Sequence, residues 1–261
     1  MYMKLPVSLV VITLNEERNI ERCLRSVPWA SDIVVIDSGS QDRTAELAEK
    51  LGARVIQEKW RGFGPQKAFG VSQAQYDWII NLDADEELSP ELSDEIQTQF
   101  KNLDPETGYL IPRKSKYLGR WILHGGWYPD YQLRLFNRIH SNWDSAPIHE
   151  KVIAHKIDKL KKPMHHYVFR QISDHVQTNN RYSGLQADAH FQKGQKFSYF
   201  KLIFKPWTKF IECYFLKLGF LDGLPGFIIA IGAAYSVFIR WAKVWELESG
   251  LNPNQERKSQ K

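Results

Sequence analysis

Short apolar, β-branched runs recur through the first third of the chain, and each breaks off at a polar side chain. VSLVVITL (7–14) leads into Asn15, IVVI (33–36) into Asp37 and WIINL (78–82) into Asp83. Runs with no polar face are predicted to be strands covered on both sides, as in a parallel sheet. Helical stretches separate them. Asn15 can cap the first helix, with Glu16 and Glu17 in its first turn, and Pro28 stops it after Val27. A second helix is predicted over 43–51 with Gly52 as its cap, a short strand over Ala53–Gln57 and a third helix over 65–75. This alternation predicts a doubly wound α/β sheet. Ligands of such sheets bind outside the carboxyl ends of the strands. Asn15, Asp37 and Asp83 are therefore predicted to meet on one rim, although they lie far apart in the sequence.

The rest of the chain has a different character. Residues 1–110 carry 11 Lys and Arg against 19 Asp and Glu, and residues 111–261 carry 24 against 11. An acidic half followed by a basic, aromatic half suggests two tasks, the second facing nucleic acid or an anionic membrane. Strands are predicted at Tyr109–Pro112, Gln132–Phe136 and Val152–Ala154, and a helix over 173–192. We expect a nucleotide-binding domain over 1–192, with its acceptor half from about 111, then a helical region over 193–247 and a polar tail over 248–261. The only cysteines, Cys23 and Cys213, lie far apart and suggest neither a disulfide framework nor a zinc site. The apolar run at the N-terminus is too short for a signal peptide, so a reduced, cytosolic protein is expected.

LDADEEL (82–88) places Asp83 and Asp85 two residues apart, just past a buried strand. Carboxylates there can hold Mg²⁺ or Mn²⁺, which prefer oxygen ligands, and such an ion neutralises charge on a diphosphate. The alternative is an acidic loop capping a helix that starts near Ser89-Pro90. Asp37 has its own alternative, an Asx-turn shaping the loop DSGS. Lys67 opens a predicted helix near the same rim, where it either pairs with phosphate or is a solvated charge.

Taken together, VVITLNEERNIERCLRSV, IVVIDSGSQDRTAELAEKLGARV and WIINLDADEEL resemble the family 2 glycosyltransferases, whose nucleotide-binding core has the GT-A fold. GGWYPDYQLRLFNR (125–138) and APIHEKV (146–152) resemble a bacterial subgroup of that family, which includes β-1,4-glucosyltransferases that extend the lipopolysaccharide inner core. The resemblance implies an inverting transfer of a hexose from a nucleoside diphosphate, most simply UDP-glucose, with Mg²⁺ or Mn²⁺ as cofactor. It implies that Thr13, Leu14 and Glu16 line the base and ribose pocket and that Asp37 contacts the nucleoside. Asp83 and Asp85 match the ribose, metal and diphosphate ligands, and Glu87 can add a metal ligand. Arg134 is a candidate for the diphosphate or an anionic acceptor, ahead of Arg138. Where the family usually carries a Glu-Asp pair for the base, this chain departs and offers His149-Glu150. Glu150 is the better match, His149 is a chemically credible base near neutral pH, and Asp130 is the rival. A structural His–Glu pair and a turn aspartate are the corresponding alternatives. Trp127 and Tyr128 can stack on a sugar or sit in a core, and His165 and His166 can reach the metal or be core histidines.

Residues 193–217 carry six lysines and one acid, with Lys201, Lys205 and Lys209 spaced by four. On a helix they form one stripe among aromatic and aliphatic side chains, which suits an amphipathic helix lying in a membrane interface. Residues 223–239 are uncharged, yet as a helix they reach only about 25 Å against a hydrocarbon core of about 30 Å. Pro225-Gly226 further weakens a full span, so a shallow, monotopic or re-entrant hairpin is expected, peripheral or monotopic on the cytoplasmic face of the inner membrane; the alternative is a helical subdomain packed on the α/β core, or a dimer interface. A lipid-linked oligosaccharide acceptor is the expected partner. Transfer to a polyprenyl phosphate and a non-catalytic membrane- or nucleic-acid-binding protein are the competing readings. The uncharged segment argues against nucleic acid.

Overall fold

The computed structural model describes residues 3–143, 152–169 and 171–251. The chain divides into two compact units, Met1–Lys114 with Pro129–Tyr167 and Ser115–Tyr128 with Val168–Lys261. The helix expected at 173–192 belongs to the second unit.

The first unit opens with the expected alternation: β1 (Leu5–Thr13), α1 (Ile20–Arg25), β2 (Ala30–Asp37), α2 (Thr44–Lys50), β3 (Arg54–Gln57), α3 (Phe63–Ser72) and β4 (Trp78–Asp83). Four of these strands lie side by side in the order β3-β2-β1-β4, all parallel. Alternate residues face opposite layers, as the pleat demands. Leu9, Val11, Val35, Ile80 and Leu82 pack with Ile20, Leu24 and Ala48 on one side. Val10, Ile12, Val34, Ile36 and Ile79 pack with Val71 of α3 on the other. A Cβ at Gly70 would lie 2.6 Å from Val10 Cγ1, so only glycine lets α3 approach β1 this closely.

Further along come β5 (Glu86–Leu88), α4 (Pro90–Gln99), β6 (Thr107–Tyr117), β7 (Arg120–Trp121), β8 (Asp130–Asn137), β9 (Ser141–Trp143), β10 (Val152–Ala154), β11 (Lys156–Lys159) and β12 (Met164–Phe169). The sheet continues as β4-β8-β6-β12-β5, with β8 antiparallel to both β4 and β6. It is therefore mixed. Ser89 caps α4, its Oγ accepting the Leu92 N–H at 3.1 Å, as the sequence suggests.

Two local expectations are corrected. The first helix begins at Ile20 rather than beside Asn15. Asn15 has φ +55° and joins two loops instead: its N–H donates to Ser40 Oγ at 2.9 Å and its Oδ1 accepts the Gln41 N–H at 2.8 Å. Past Asp83 the acidic stretch does not remain a loop. It forms β5, paired antiparallel to β12 with Glu87 opposite His165 and Glu86 opposite His166.

The second unit is built on α5 (Ile172–Gln192), α6 (Tyr199–Ile211) and α7 (Gly223–Glu248). Ala187 of α5 meets Trp241, Val244 and Leu247 of α7, with Leu202 of α6 against them. Buried Asp222 precedes α7 and accepts the Leu123 and His124 N–H groups at 3.2 and 2.8 Å. The sequence sets Pro225-Gly226 as an interruption, but both lie in the first turn of a continuous α7, where proline costs no hydrogen bond. The segment Gly219–Glu248 is long and apolar enough to cross a membrane by length and composition alone.

Candidate functional site

The rim of the first unit gathers the side chains that follow β1, β2 and β4. In-register pairing sets Thr13 beside Asp37 and Ile12 beside Asp83. Thr13 is buried, and among the described residues its Oγ1 has no hydrogen-bond partner. Leu14 follows it and is 50% exposed. The Glu16 N–H donates to Thr44 Oγ1 at 2.8 Å, and its Oε2 accepts from Asn19 Nδ2. Asp37 is fully buried. One carboxylate oxygen accepts the Ser40 N–H at 3.0 Å and Gln57 Nε2 at 2.8 Å, and the other accepts the Ser40 hydroxyl. The loop-shaping geometry that the sequence left open for Asp37 is thus present.

Behind the rim lies a joined cluster of three acids and three bases. Lys67 Nζ is 2.7 Å from Asp83 Oδ1, and Arg134 Nη2 is 2.7 Å from both Asp83 Oδ2 and Glu86 Oε1. Arg113 Nη1 lies 3.1 Å from the same Glu86 oxygen, and its Nε and Nη2 donate to Asp130 Oδ2 at 2.9 and 2.6 Å. Glu86 Oε2 also accepts the Asp83 N–H at 3.1 Å. Lys67 is 6% exposed, which removes the solvated-charge alternative. Burial and the neighbouring Arg134 charge lower its pKa, while Asp83 opposes them. Burial alone would raise the Asp83 pKa, but Arg134 and Lys67 outweigh it and hold the carboxyl well below the usual range. Arg134 is raised in turn, its desolvation outweighed by Asp83 and Glu86.

Asp85 lies two residues past the end of β4 and is half-buried, as Asp83 is. Its side chain is 27% exposed, with Oδ2 3.3 Å from His166 Nε2. Glu87 differs: Oε1 accepts the Tyr167 hydroxyl at 2.7 Å and faces His165 Nδ1 at 3.2 Å, while Oε2 meets Arg22 Nε at 3.3 Å. Burial works to raise the Glu87 pKa, and these hydrogen bonds and Arg22 lower it. Burial and the Glu87 bond push the Tyr167 phenol up to about 12. Among the described residues no cluster of three His, Cys, Asp or Glu side chains could hold a metal ion. Mg²⁺ does not require one, since it binds through one or two carboxylates plus substrate phosphates and water. Asp85 fits that role, with Asp83 beside it. Both Glu87 oxygens are already engaged, and both Asp83 oxygens are held by Lys67 and Arg134, so Asp85 fits it best of the three.

Asp130 is bound through Oδ2 to Arg113, and its Oδ1 accepts Gln132 Nε2 at 2.8 Å. Arg138 is away from the rim, donating to Asp77 Oδ1 and the Ala74 carbonyl. Trp127 belongs to the second unit, in a ring cluster with Tyr117, Phe169 and His175. His149 and Glu150 lie outside the described residues. Sequence reasoning missed Glu86 and Arg113 altogether. A signal for Glu86 exists, because alternation along a short strand places it on the same face as buried Leu88.

Comparison with known proteins bears on what this rim does. The sequence pattern of glycosyl transferase family 2 matches residues 8–152, which contain the carboxyl end of every strand of the rim. An uncharacterized glycosyltransferase of Rickettsia bellii is 34% identical, over 97% of this chain and 92% of that protein. The lipopolysaccharide core biosynthesis glycosyltransferase LpsC of Rhizobium meliloti is 30% identical, over 94% of each chain. Among solved structures, glucosyl-3-phosphoglycerate synthase from Mycobacterium tuberculosis, in complex with Mn²⁺, UDP and glucosyl-3-phosphoglycerate, is 22% identical over 42% of this chain and 44% of its own, with a TM-score of 0.35. The first two relatives extend the likeness through the C-terminal unit, beyond the reach of the family pattern. The chain belongs to glycosyl transferase family 2 and is a glycosyltransferase.

Proposed function

We propose that the protein transfers a hexose, most simply glucose from UDP-glucose, with inversion, onto a lipid-linked acceptor of the lipopolysaccharide core type at the cytoplasmic face of the inner membrane. The observation that carries the donor site is the rim itself: Thr13, Asp37, Asp83 and Asp85 at the ends of three adjacent parallel strands. The unpartnered Thr13 hydroxyl and exposed Leu14 suit a ribose and base. Lys67 and Arg134 fix Asp83 in its ionised state, so that its remaining lone pairs can accept a ribose hydroxyl without a proton change. Asp85 would hold a divalent ion, which when bound would neutralise charge on the leaving diphosphate. Glu150 is the proposed general base. Asp130 remains its rival, although both of its oxygens already accept hydrogen bonds.

The acceptor reading draws on the likeness to LpsC and on the second unit. Exposed Phe200, Ile203, Phe204, Trp207 and Ile211 form an apolar face on α6. α7 is tied to the polar helix α5 by Lys243 Nζ to the Asn180 carbonyl (2.6 Å) and Asn179 Nδ2 to the Gly232 carbonyl (3.1 Å). A lone spanning helix would drag those polar partners into hydrocarbon. This favours an interfacial unit over a membrane span.

The test is metal-dependent donor binding. Wild-type protein with Mn²⁺ and UDP-glucose at about a hundred times Kd gains about 2.7 kcal/mol of stability, and Asp85→Asn loses that gain while its melting without ligand is unchanged. Full transfer by Asp85→Asn, or by the wild type in excess chelator, would sink the metal assignment.

A further inference from the structure

The second unit contains an open cavity of about 520 Å³, lined from α5 by His175, Asn179 and Gln186, from α6 by Lys205, Thr208 and Lys209, and from α7 by Ser236 and Arg240. We propose that this cavity holds the phosphate of a membrane lipid headgroup. The proposal rests on the interfacial reading of this unit but not on the donor site.

Three observations carry it. The first is the orientation of α6. Its apolar positions 200, 203, 204, 207 and 211 recur at helical spacing and are exposed, whereas Lys205, Thr208 and Lys209 occupy a different face and line the cavity. A helix in water buries its apolar face. Here the apolar face is outside and the basic face lines the cavity. That arrangement suits a helix whose outer surroundings are acyl chains and whose inner surroundings are a polar ligand. The lysine stripe expected to face the membrane lies on the side of α7 and the cavity: Lys201 Nζ is over the Trp241 ring at 4.5 Å, half-buried Lys209 lines the cavity and exposed Lys205 stands at its mouth.

The second observation is charge. Among the described residues one acid, Glu212, lines the cavity, and it is already paired with Lys209 at 3.0 Å and Lys217 at 2.5 Å. Lys205 and Arg240 have no ion-pair partner among the described residues. Arg240 is half-buried, and a cation held there without a counter-charge is costly unless an anion joins it, whereas exposed Lys205 adds a solvated positive charge at the cavity mouth.

The third is an unsatisfied donor. Arg240 Nη1 donates to Gln186 Oε1 at 2.9 Å, but its Nε is buried without a partner among the described residues. A phosphate oxygen supplies the missing acceptor, and guanidinium geometry suits it. The Ser236 hydroxyl and the second Asn179 N–H add neutral donors around it, while the Thr208 hydroxyl is already donated to the Lys205 carbonyl at 3.0 Å. A free phosphate would satisfy the same groups, but only a lipid headgroup also explains the exposed apolar face.

The experiment measures partitioning of the full chain onto phosphatidylcholine vesicles with and without phosphatidylglycerol. Wild type should prefer the phosphatidylglycerol vesicles. Lys205→Gln with Arg240→Gln should keep binding to phosphatidylcholine but lose roughly ten-fold more of that preference than the surface control Lys193→Gln with Lys196→Gln, because charge-assisted hydrogen bonds exceed diffuse attraction. Lys205→Gln alone, at an exposed position, should lose part of it with no change in melting, and Arg240→Lys should restore part. Equal losses in the pocket and control variants would overturn the site. Binding of soluble glycerol phosphate with no change in vesicle preference would overturn the lipid assignment. Failure of the wild type to bind any vesicle would instead remove the interfacial reading on which the proposal rests.

Discussion

Replacing Glu86 by Gln tests how the rim is held together. Glu86 has a fully buried side chain, accepts from Arg134 and Arg113 through one oxygen and takes the Asp83 N–H with the other. With Asp83 and Asp130 it balances Lys67, Arg113 and Arg134, three negative charges against three positive. Glutamine keeps the volume and an acceptor for the Asp83 N–H, so the change removes charge and little else. Breaking a buried ion pair from one side costs about 3–5 kcal/mol, because the other side stays buried and uncompensated. For a domain of this size each kcal/mol moves the melting point by about 2–4 °C, so a fall of roughly 10 °C is expected. The assay is thermal and urea unfolding of the full chain. Glu86→Gln with Arg113→Gln restores the balance, so the double variant should be more stable than the sum of the single losses by about 1–3 kcal/mol. A single-variant loss below about 1 kcal/mol, or strictly additive losses, would refute the reasoning.

Two further outcomes follow from the same geometry. Buried His175, against the Tyr117 hydroxyl at 2.9 Å and stacked on Phe169, has its pKa lowered by desolvation. The unfolded chain therefore takes up the proton first, so the contribution is complete above about pH 6.5 and is lost as pH falls below that value toward the folded pKa. His175→Gln should flatten the fall in melting temperature between neutral and mildly acidic pH, and an unchanged slope would count against the assignment. Glu150→Gln should keep donor binding while single-turnover transfer falls about 10²–10⁴-fold; if Asp130→Asn shows that profile instead, Asp130 is the base.

The rim was legible because a parallel strand covered on both faces leaves an unmistakable apolar run, and the residue that ends it must lie at the carboxyl edge. Asp37 and Asp83 were found on that argument alone. The cluster behind them was not, because its members come from strands whose neighbours are set by tertiary pairing. Arg113 and Arg134 lie on β6 and β8, and nothing in their local sequence says that these strands are adjacent or which face meets Glu86. The burial of Lys67 depends on how closely α3 approaches β1. The sequence records that approach only as a glycine at position 70.

The second unit shows a different limit. Periodicity along residues 199–211 separates an apolar face of α6 from a basic one, and the structure has both. It cannot say which face is outermost, because the direction of an amphipathic helix is defined only against its solvent. Read for an interface, the lysines point outward to anionic headgroups. In the structure the neighbours decide. α5 and α7 present Gln186, Asn179 and Ser236 to α6 beside the apolar Ile229, Ala233 and Val237, and the Arg240 cation stands on the same cavity as the lysines. Phe200, Phe204 and Trp207 are then left outside, where water would penalise them and acyl chains would not. The same four-residue spacing is compatible with surface attraction or headgroup capture, and the vesicle preference of Lys205→Gln with Arg240→Gln against the Lys193→Gln with Lys196→Gln control decides between them.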